Sequence, residues 1–129
     1  MRPIPVGATG RSEIIVGPEH LASTVKSALL PPVLATPIMI LLMENAALEA
    51  VRLYLEEGES CVGTHVDVAH LAATPEGRRV IAEARVTAVK GRRVSFSVTA
   101  RDARQEIGRG THERVVIDMA AFAERLKKK

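Results

Sequence analysis

Glu44 is the residue whose type and position most clearly suggest chemistry, because it lies in the apolar stretch "ATPIMILLMENAALEAV", residues 35–51. On a helix with about 100° per residue, Glu44 falls outside the polar, solvent-exposed stripe. That stripe consists of Asn45, Glu49, Arg52 and Glu56. The helical neighbours of Glu44 are all apolar: Ile40, Leu41, Ala47, Leu48 and Val51. An unpaired ionised carboxylate is costly on such a face, so Glu44 must be paired, protonated or directed into a polar cavity.

Two side chains are candidate partners for Glu44. His70 shares a strand face with Val66 and Val68, and this face is expected to turn toward the helix. Thr36 lies about 12 Å away along the helix axis, so it would meet Glu44 only across a cavity or through a substrate. Perturbed carboxylates in clefts are enriched at functional sites. A structural pair of Glu44 with a histidine or with the backbone explains the residue equally well, and the sequence leaves both readings open.

The helix that carries Glu44 has a clear predicted start. Thr36 is suited to the N-cap and Pro37 to the first helical position, where its missing N–H costs nothing. Gly58 is the predicted stop, about twenty residues later. The segment before the helix is irregular and contains one candidate strand, "SEIIV", residues 12–16.

After Gly58 the hydrophobic period changes from helical to alternating, which predicts four antiparallel strands. They are centred on "CVGTHVDVAHLAAT", "VIAEARVTAV", "RVSFSVTARD" and "EIGRGTHERVVIDM". Turns are expected at Lys90-Gly91 and near residues 102–105, and a short helix is expected over residues 120–129. The inward positions are predicted to be Val80, Ala82, Ala84, Val86 and Ala88 on one strand and Val94, Phe96, Val98 and Ala100 on the next. A helix this apolar must be covered on most sides, so the sequence predicts an α+β fold with a curled sheet wrapped around one central helix.

Composition restricts the function further. The chain has 129 residues, which favours a single domain over residues 1–129, and no apolar run long enough to cross a membrane. The net charge of +3 includes the terminal lysines 127–129, and only three aromatic residues are present, so nucleic acid is a weak candidate partner. The single Cys61 excludes an intrachain disulfide, and no Cys/His set has metal-ligand spacing. We therefore expect a cytoplasmic protein without a metal site.

Four stretches resemble the hot-dog-fold acyl-CoA thioesterases, most closely the fluoroacetyl-CoA thioesterase type: "ATPIMILLMENA", "GTHVDVAHLAATPEG", "VKGRRVSFSVTARD" and "EIGRGTHERVVID". The resemblance implies a catalytic set of Thr36, Glu44 and His70 and substrate contacts at Gly63 and Arg114. It also implies a homodimer or a dimer of dimers, with acyl-CoA sites at the subunit interface. No cofactor is implied, since CoA is part of the substrate.

One segment departs from that family. Members selective for the fluorinated acyl group carry phenylalanines before the catalytic threonine, whereas this chain has "VKSALLPPVLAT", with Leu30 and Leu34 and no aromatic residue. The segment leaves the thioesterase interpretation intact and argues against fluoroacetyl selectivity.

The candidate residues have both chemical and structural interpretations. His70 suits a general base, with Glu44 orienting it, activating water or attacking directly, and Thr36 is either the nucleophile or a simple N-cap. Gly63 is either a backbone donor or a strand bulge, and Arg114 either contacts CoA or forms an ion pair. His65 and His112 are interpreted as structural or rim residues. A non-catalytic acyl-CoA or metabolite binding module is the alternative function. A hot-dog dehydratase would need a different acid–base arrangement.

Overall fold

The fold is built around one apolar helix, and the computed structural model describes every residue from Met1 to Lys129. In chain order the elements are β1 (Thr9–Ile15), α1 (Ala22–Val25), α2 (Thr36–Val51), β2 (Glu59–His70), β3 (Arg79–Lys90), β4 (Arg93–Arg101), β5 (Glu106–Asp118) and α3 (Met119–Lys127). Two short 3₁₀ turns, Pro18–His20 and Arg52–Tyr54, precede α1 and follow α2. The predicted strand near the N-terminus, the long helix, the four later strands and the closing helix are all present.

The five strands form one antiparallel sheet in the order β1-β3-β4-β5-β2. Consecutive strands β3, β4 and β5 are neighbours, as expected for successive hairpins. The strand β2 does not pair with β3. It crosses to the far edge and pairs with β5 over its whole length, from Glu59↔Asp118 to His70↔Gly108. One side of β2 is therefore a free sheet edge.

The inner face of the sheet packs on α2 and forms a single core cluster of 22 buried residues. The predicted inward positions of β4 are buried, and so are four of the five on β3. The prediction for Ala88 was wrong. A β-bulge between Val86 and Ala88 shifts the alternation by one residue, so that Val89 instead lies opposite Val94 and packs against the core.

Both predicted ends of the central helix need correction. Ala35, not Thr36, is the N-cap, with extended backbone angles and no capping side chain, so Thr36 is the first helical residue. The helix ends at Val51, well before Gly58. There the chain tightens into a 3₁₀ turn, which leaves Leu53 exposed and lets Leu55 pack against the core. Gly58, with φ +83°, serves the turn into β2 instead.

A bulge in β2 has a direct effect on which residues face inward. Gly63 pairs with Arg114, and His65 pairs with the preceding β5 residue, Glu113, so the register shifts at Thr64. Strict alternation would place Gly63 and His70 on opposite faces of the strand. Because of the bulge, both belong to the inner face.

The closest approach of the sheet to α2 is at β1. A Cβ atom added at Gly10 would lie 2.1 Å from the carbonyl oxygen of Ala46 and 2.3 Å from the nitrogen of Ala50. Both are backbone atoms, which cannot move without displacing the helix. Gly10 is therefore required for the packing of β1 on α2.

We expect Gly10→Ala to lower the free energy of unfolding by about 2–3 kcal/mol, the upper range for overpacking a core. Gly17→Ala is the matched control, because the added Cβ would meet only the flexible carboxylate end of Glu19. Urea unfolding of both variants checks this expectation. Equal, small effects would show that β1 can move away from the helix without cost.

Candidate active site

Thr36 and His70 form a direct pair at the start of α2. The Thr36 Oγ1 atom lies 2.8 Å from His70 Nδ1. Because Ala35 takes the N-cap position, the threonine hydroxyl is not occupied with capping the helix. The pairing of β2 with β5 carries His70 to the end of the strand beside the helix start. Sequence reasoning selected both residues, and the structure brings them into hydrogen-bond contact.

The surroundings of His70 favour a neutral ring. The side chain is half-buried, and this desolvation lowers its pKa below the ordinary value of 6.5, an effect that the backbone of Ala72 partly opposes. Its Nε2 atom is buried without a hydrogen-bond partner. A neutral imidazole with its hydrogen on Nε2 presents an unprotonated Nδ1 to the threonine hydroxyl. In this state Nδ1 can accept a proton from Thr36 Oγ1.

A cavity of about 410 Å³ opens beside the Thr36–His70 pair. Its walls come largely from the segment before the helix and from the residues after β2, and they are mainly apolar, with Leu30, Leu34 and Leu71 among them. Lys26 is the only lining residue with a permanent charge. An apolar cavity next to a hydroxyl–imidazole pair can hold an acyl chain with its carbonyl near the threonine.

Glu44 belongs to a second cluster. Its Oε2 atom lies 3.4 Å from Nη1 of Arg114, and its side chain is 37% exposed while that of Arg114 is 10% exposed. Neither of the candidate partners, His70 and Thr36, contacts Glu44 within the single chain. Its partner is instead Arg114 on β5, which reaches the carboxylate from the neighbouring strand. The carboxylate is thus paired on one side and open on the other.

Arg114 is held by several groups. Its Nε donates to Sγ of Cys61 at 3.1 Å and its Nη2 to the Cys61 carbonyl oxygen at 3.0 Å. Nη1 lies 3.2 Å from Nε2 of His112. The predicted alternatives for Arg114 were an ion pair and a ligand contact, and the structure provides the ion pair with Glu44. A guanidinium fixed in this way keeps its orientation when a ligand arrives.

The absence of a side chain at Gly63 leaves room for the ion pair between Glu44 and Arg114. A Cβ atom at this position would lie 2.8 Å from Glu44 Oε2 and 3.4 Å from Nη1 of Arg114. Any larger residue would therefore displace the carboxylate from the guanidinium. The predicted bulge is present, since the register shifts at Thr64, directly after Gly63.

The five candidate residues thus form two groups within one chain, Thr36 with His70 and Glu44 with Gly63 and Arg114. Thr36 and Glu44 are separated by two helical turns, about 12 Å. Gly63 and His70 are separated by seven residues of extended strand, about 23 Å. Sequence reasoning missed the contacts of His112 and Cys61 with Arg114. The signal for His112 was its spacing of two residues from Arg114 on one strand, which places both on the same face.

No group of three or more His, Cys, Asp or Glu side chains is arranged to hold a metal ion. No helix combines the length and the apolar character needed to span a membrane.

Comparison with known proteins identifies the family of this chain. Residues 16–120 match the family model described as fluoroacetyl-CoA-specific thioesterase, FlK. The fluoroacetyl-CoA thioesterase of Streptantibioticus cattleyicolor is 46% identical over 99 residues, covering 77% of this chain and 71% of the relative.

Solved structures agree with this assignment. A structure of the fluoroacetyl-CoA thioesterase FlK superposes with a TM-score of 0.93 at 39% identity, covering 98% of both chains. A thioesterase superfamily member from Thermus thermophilus gives 0.88 at 36% identity, covering 99% of this chain and 96% of that one. A hot-dog-like protein from Thermanaerovibrio acidaminovorans gives 0.86 at 28% identity, covering 97% and 92%. These matches confirm the predicted α+β hot-dog fold, and the chain belongs to the fluoroacetyl-CoA-specific thioesterase family of hot-dog acyl-CoA thioesterases, which are thioester hydrolases.

Proposed function

We propose that this protein hydrolyses the thioester of a short acyl-CoA, releasing the free acid and CoA, at sites shared between the two subunits of a homodimer. The hydroxyl–imidazole contact of 2.8 Å between Thr36 and His70, next to an apolar cavity, is the observation that carries the proposal. The reaction needs no cofactor, since CoA enters as part of the substrate. We also propose a cytoplasmic location, since the free Cys61 fits a reducing compartment.

The chemistry begins at Thr36. His70 Nδ1 removes the hydroxyl proton as Oγ1 attacks the thioester carbonyl, and the resulting imidazolium returns the proton to the departing CoA sulfur. Water then hydrolyses the acyl-threonine, with His70 again as the base. Arg114 and the backbone N–H of Gly63 supply donors for the developing oxyanion, and Glu44 orients the hydrolytic water. The partly exposed carboxylate of Glu44 supports this role, because one side of it is open to a ligand.

A dimer is proposed because one chain separates these groups. The edge of β2 is unpaired, its residues 63–67 are exposed, and Val66 and the nearby helix residue Leu41 are 40% and 47% exposed. A free edge of this length is a template for pairing with another strand. Antiparallel pairing of two β2 strands about a twofold axis between Val66 and Asp67 would place His70 opposite the partner subunit's Gly63. Each Thr36–His70 pair would then face the Glu44 cluster of the other subunit.

The acyl preference follows from the segment before α2. Leu30, Val33 and Leu34 contribute aliphatic walls to the cavity, where a selective site for a fluorinated two-carbon group would be expected to carry aromatic side chains. Small aliphatic acyl groups are therefore the proposed substrates, ahead of fluoroacetyl.

A thiol-release assay with acetyl-, fluoroacetyl-, butyryl- and long-chain acyl-CoA tests the activity and ranks the acyl groups. We expect Thr36→Val, His70→Ala and Glu44→Gln each to lower kcat by about a hundredfold or more, the range for general acid–base groups, while Thr36→Ser retains activity. Glu49→Gln on the solvent-exposed side of the same helix is the matched control and should behave as wild type. Tight binding of acyl-CoA without thiol release would instead favour the binding-module alternative.

Mixed dimers test whether two subunits share each site. Coexpressed His70→Ala and Glu44→Gln chains, purified together through two different tags, should contain one intact site per dimer. In an untagged statistical mixture, about a quarter of wild-type activity should return, since half of the dimers are mixed and each has one functional site. If the mixture is as inactive as its parents, each site is built within one chain.

The lowered pKa of His70 predicts an acid limb in activity and stability. Protonation of Nδ1 removes the acceptor for the Thr36 proton, so kcat/KM should fall with a midpoint below pH 6.5.

The pKa of His112 is also lowered, again mainly by burial. Both residues bind protons more readily in the unfolded chain, so the free energy of unfolding should decrease as pH falls below about 6.5 and through the lower folded-state values. Urea unfolding at pH 8 and pH 5 measures the change in the free energy of unfolding. The variant His65→Asn is the control, because His65 is exposed.

A further inference from the structure

His112 is a buried histidine that the proposed reaction does not use. It lies on the inner face of β5, is 1% exposed, and stacks on Phe96 with ring centroids 5.9 Å apart. Its Nδ1 atom is 2.7 Å from the carbonyl oxygen of His65, and its Nε2 atom is 3.2 Å from Nη1 of Arg114. Both ring nitrogens therefore have defined partners.

These partners determine where the ring carries its hydrogen. A carbonyl oxygen can only accept, so Nδ1 must be protonated and donate to His65. A guanidinium can only donate, so Nε2 must be unprotonated and accept from Arg114. Only the neutral imidazole with its hydrogen on Nδ1 satisfies both contacts.

We propose that His112 is a positioning residue, which fixes the orientation of the Arg114 guanidinium through its Nε2 acceptor. The inference rests on the proposed function, in which Arg114 donates to the reacting thioester. Arg114 makes four hydrogen bonds with its five N–H groups, two to Cys61, one to Glu44 and one to His112. Cys61 holds the Nε and Nη2 side, and His112 holds Nη1, the nitrogen that faces Glu44. Without His112, Nη1 would be anchored only by a carboxylate that must also serve the substrate.

The position of the ring suits this role. The Cε1 atom of His112 is directed at Gly63, where an added Cβ would lie 3.3 Å away. The ring therefore packs against Gly63, and both of its nitrogens are hydrogen-bonded within the protein. His112 acts through Arg114 and does not itself contact the reacting atoms.

We expect acid to break the hydrogen bond between His112 and Arg114. Protonation would turn Nε2 into a donor aimed at a donor and would place a second positive charge beside Arg114. The titratable or charged groups that act on the ring are Arg114 on its own strand, Glu44 from α2 and His65 from β2. Phe96 from β4 is uncharged. Only Glu44 can offset the added charge.

A double-mutant cycle between residues 112 and 114 tests the proposal. We expect His112→Phe to lower kcat/KM by about ten- to hundredfold, the range for losing a hydrogen bond to a buried charged group, and His112→Gln, which restores an acceptor, to recover most of it. In an Arg114→Gln background, His112→Phe should have little further effect. Val98→Ala controls for lost packing elsewhere in the core. Multiplicative effects of the two substitutions would overturn the proposal.

A second measurement does not depend on turnover or on folding of a variant. Long-range ¹H–¹⁵N correlation spectra of the wild-type protein at pH 7.5 should show His112 with hydrogen on Nδ1 and an unprotonated Nε2. A hydrogen on Nε2 would overturn the proposal. If the wild-type protein releases no thiol from any acyl-CoA, the proposed function fails, and the spectra still decide whether His112 accepts from Arg114.

Discussion

Covering the apolar helix α2 is the constraint on which the rest of the structure depends. Residues such as Met39, Met43 and Ala47 are almost completely removed from solvent, and five strands curl around the helix to achieve this. The sheet has two ends and does not close. On the side where β2 ends the sheet, one flank of the helix remains partly uncovered, and Glu44 lies on that flank. The candidate site thus includes the flank where the helix is incompletely covered.

Arg114 shows how polar groups are accommodated inside this framework. An arginine side chain that is only 10% exposed would be unfavourable in an apolar interior without partners, and here its N–H groups contact a carboxylate, a thiol sulfur, a carbonyl and an imidazole. Each partner comes from the elements that meet at this point: α2, β2 and β5. The same contacts that make burial tolerable also limit the motion of the side chain, which suits the oxyanion-binding role proposed for it.

Local patterns in the sequence were sufficient for much of the fold. The alternation on β4, the turn after Lys90 and the apolar character of α2 each reflect a few adjacent residues, and all three predictions were confirmed. The unsuccessful predictions depended on distant partners. The bulges at Thr64 and near Ala88 arise from pairing between strands, and the hydroxyl of Thr36 contacts His70, 34 residues away in sequence, instead of capping the helix.

The candidate site could likewise be predicted only in part. Residue types and the family resemblance pointed to Thr36, Glu44, His70, Gly63 and Arg114. Their grouping could not be predicted, because it depends on β2 crossing to the far edge of the sheet. A helical position identifies which face Glu44 occupies, whereas its actual partner, Arg114, lies 70 residues further along the chain.

The bulge in β2 also bears on how this strand can change during evolution. Substitutions along the strand alter one side chain at a time and leave its alternation intact. Loss of Thr64 would remove the extra residue and turn every position on one side of it to the opposite face, so that Gly63 and His70 could no longer both point inward. Between Gly63 and His70, chain length should therefore be under stronger selection than the identity of the intervening residues, and insertions or deletions there should be absent among relatives that retain activity.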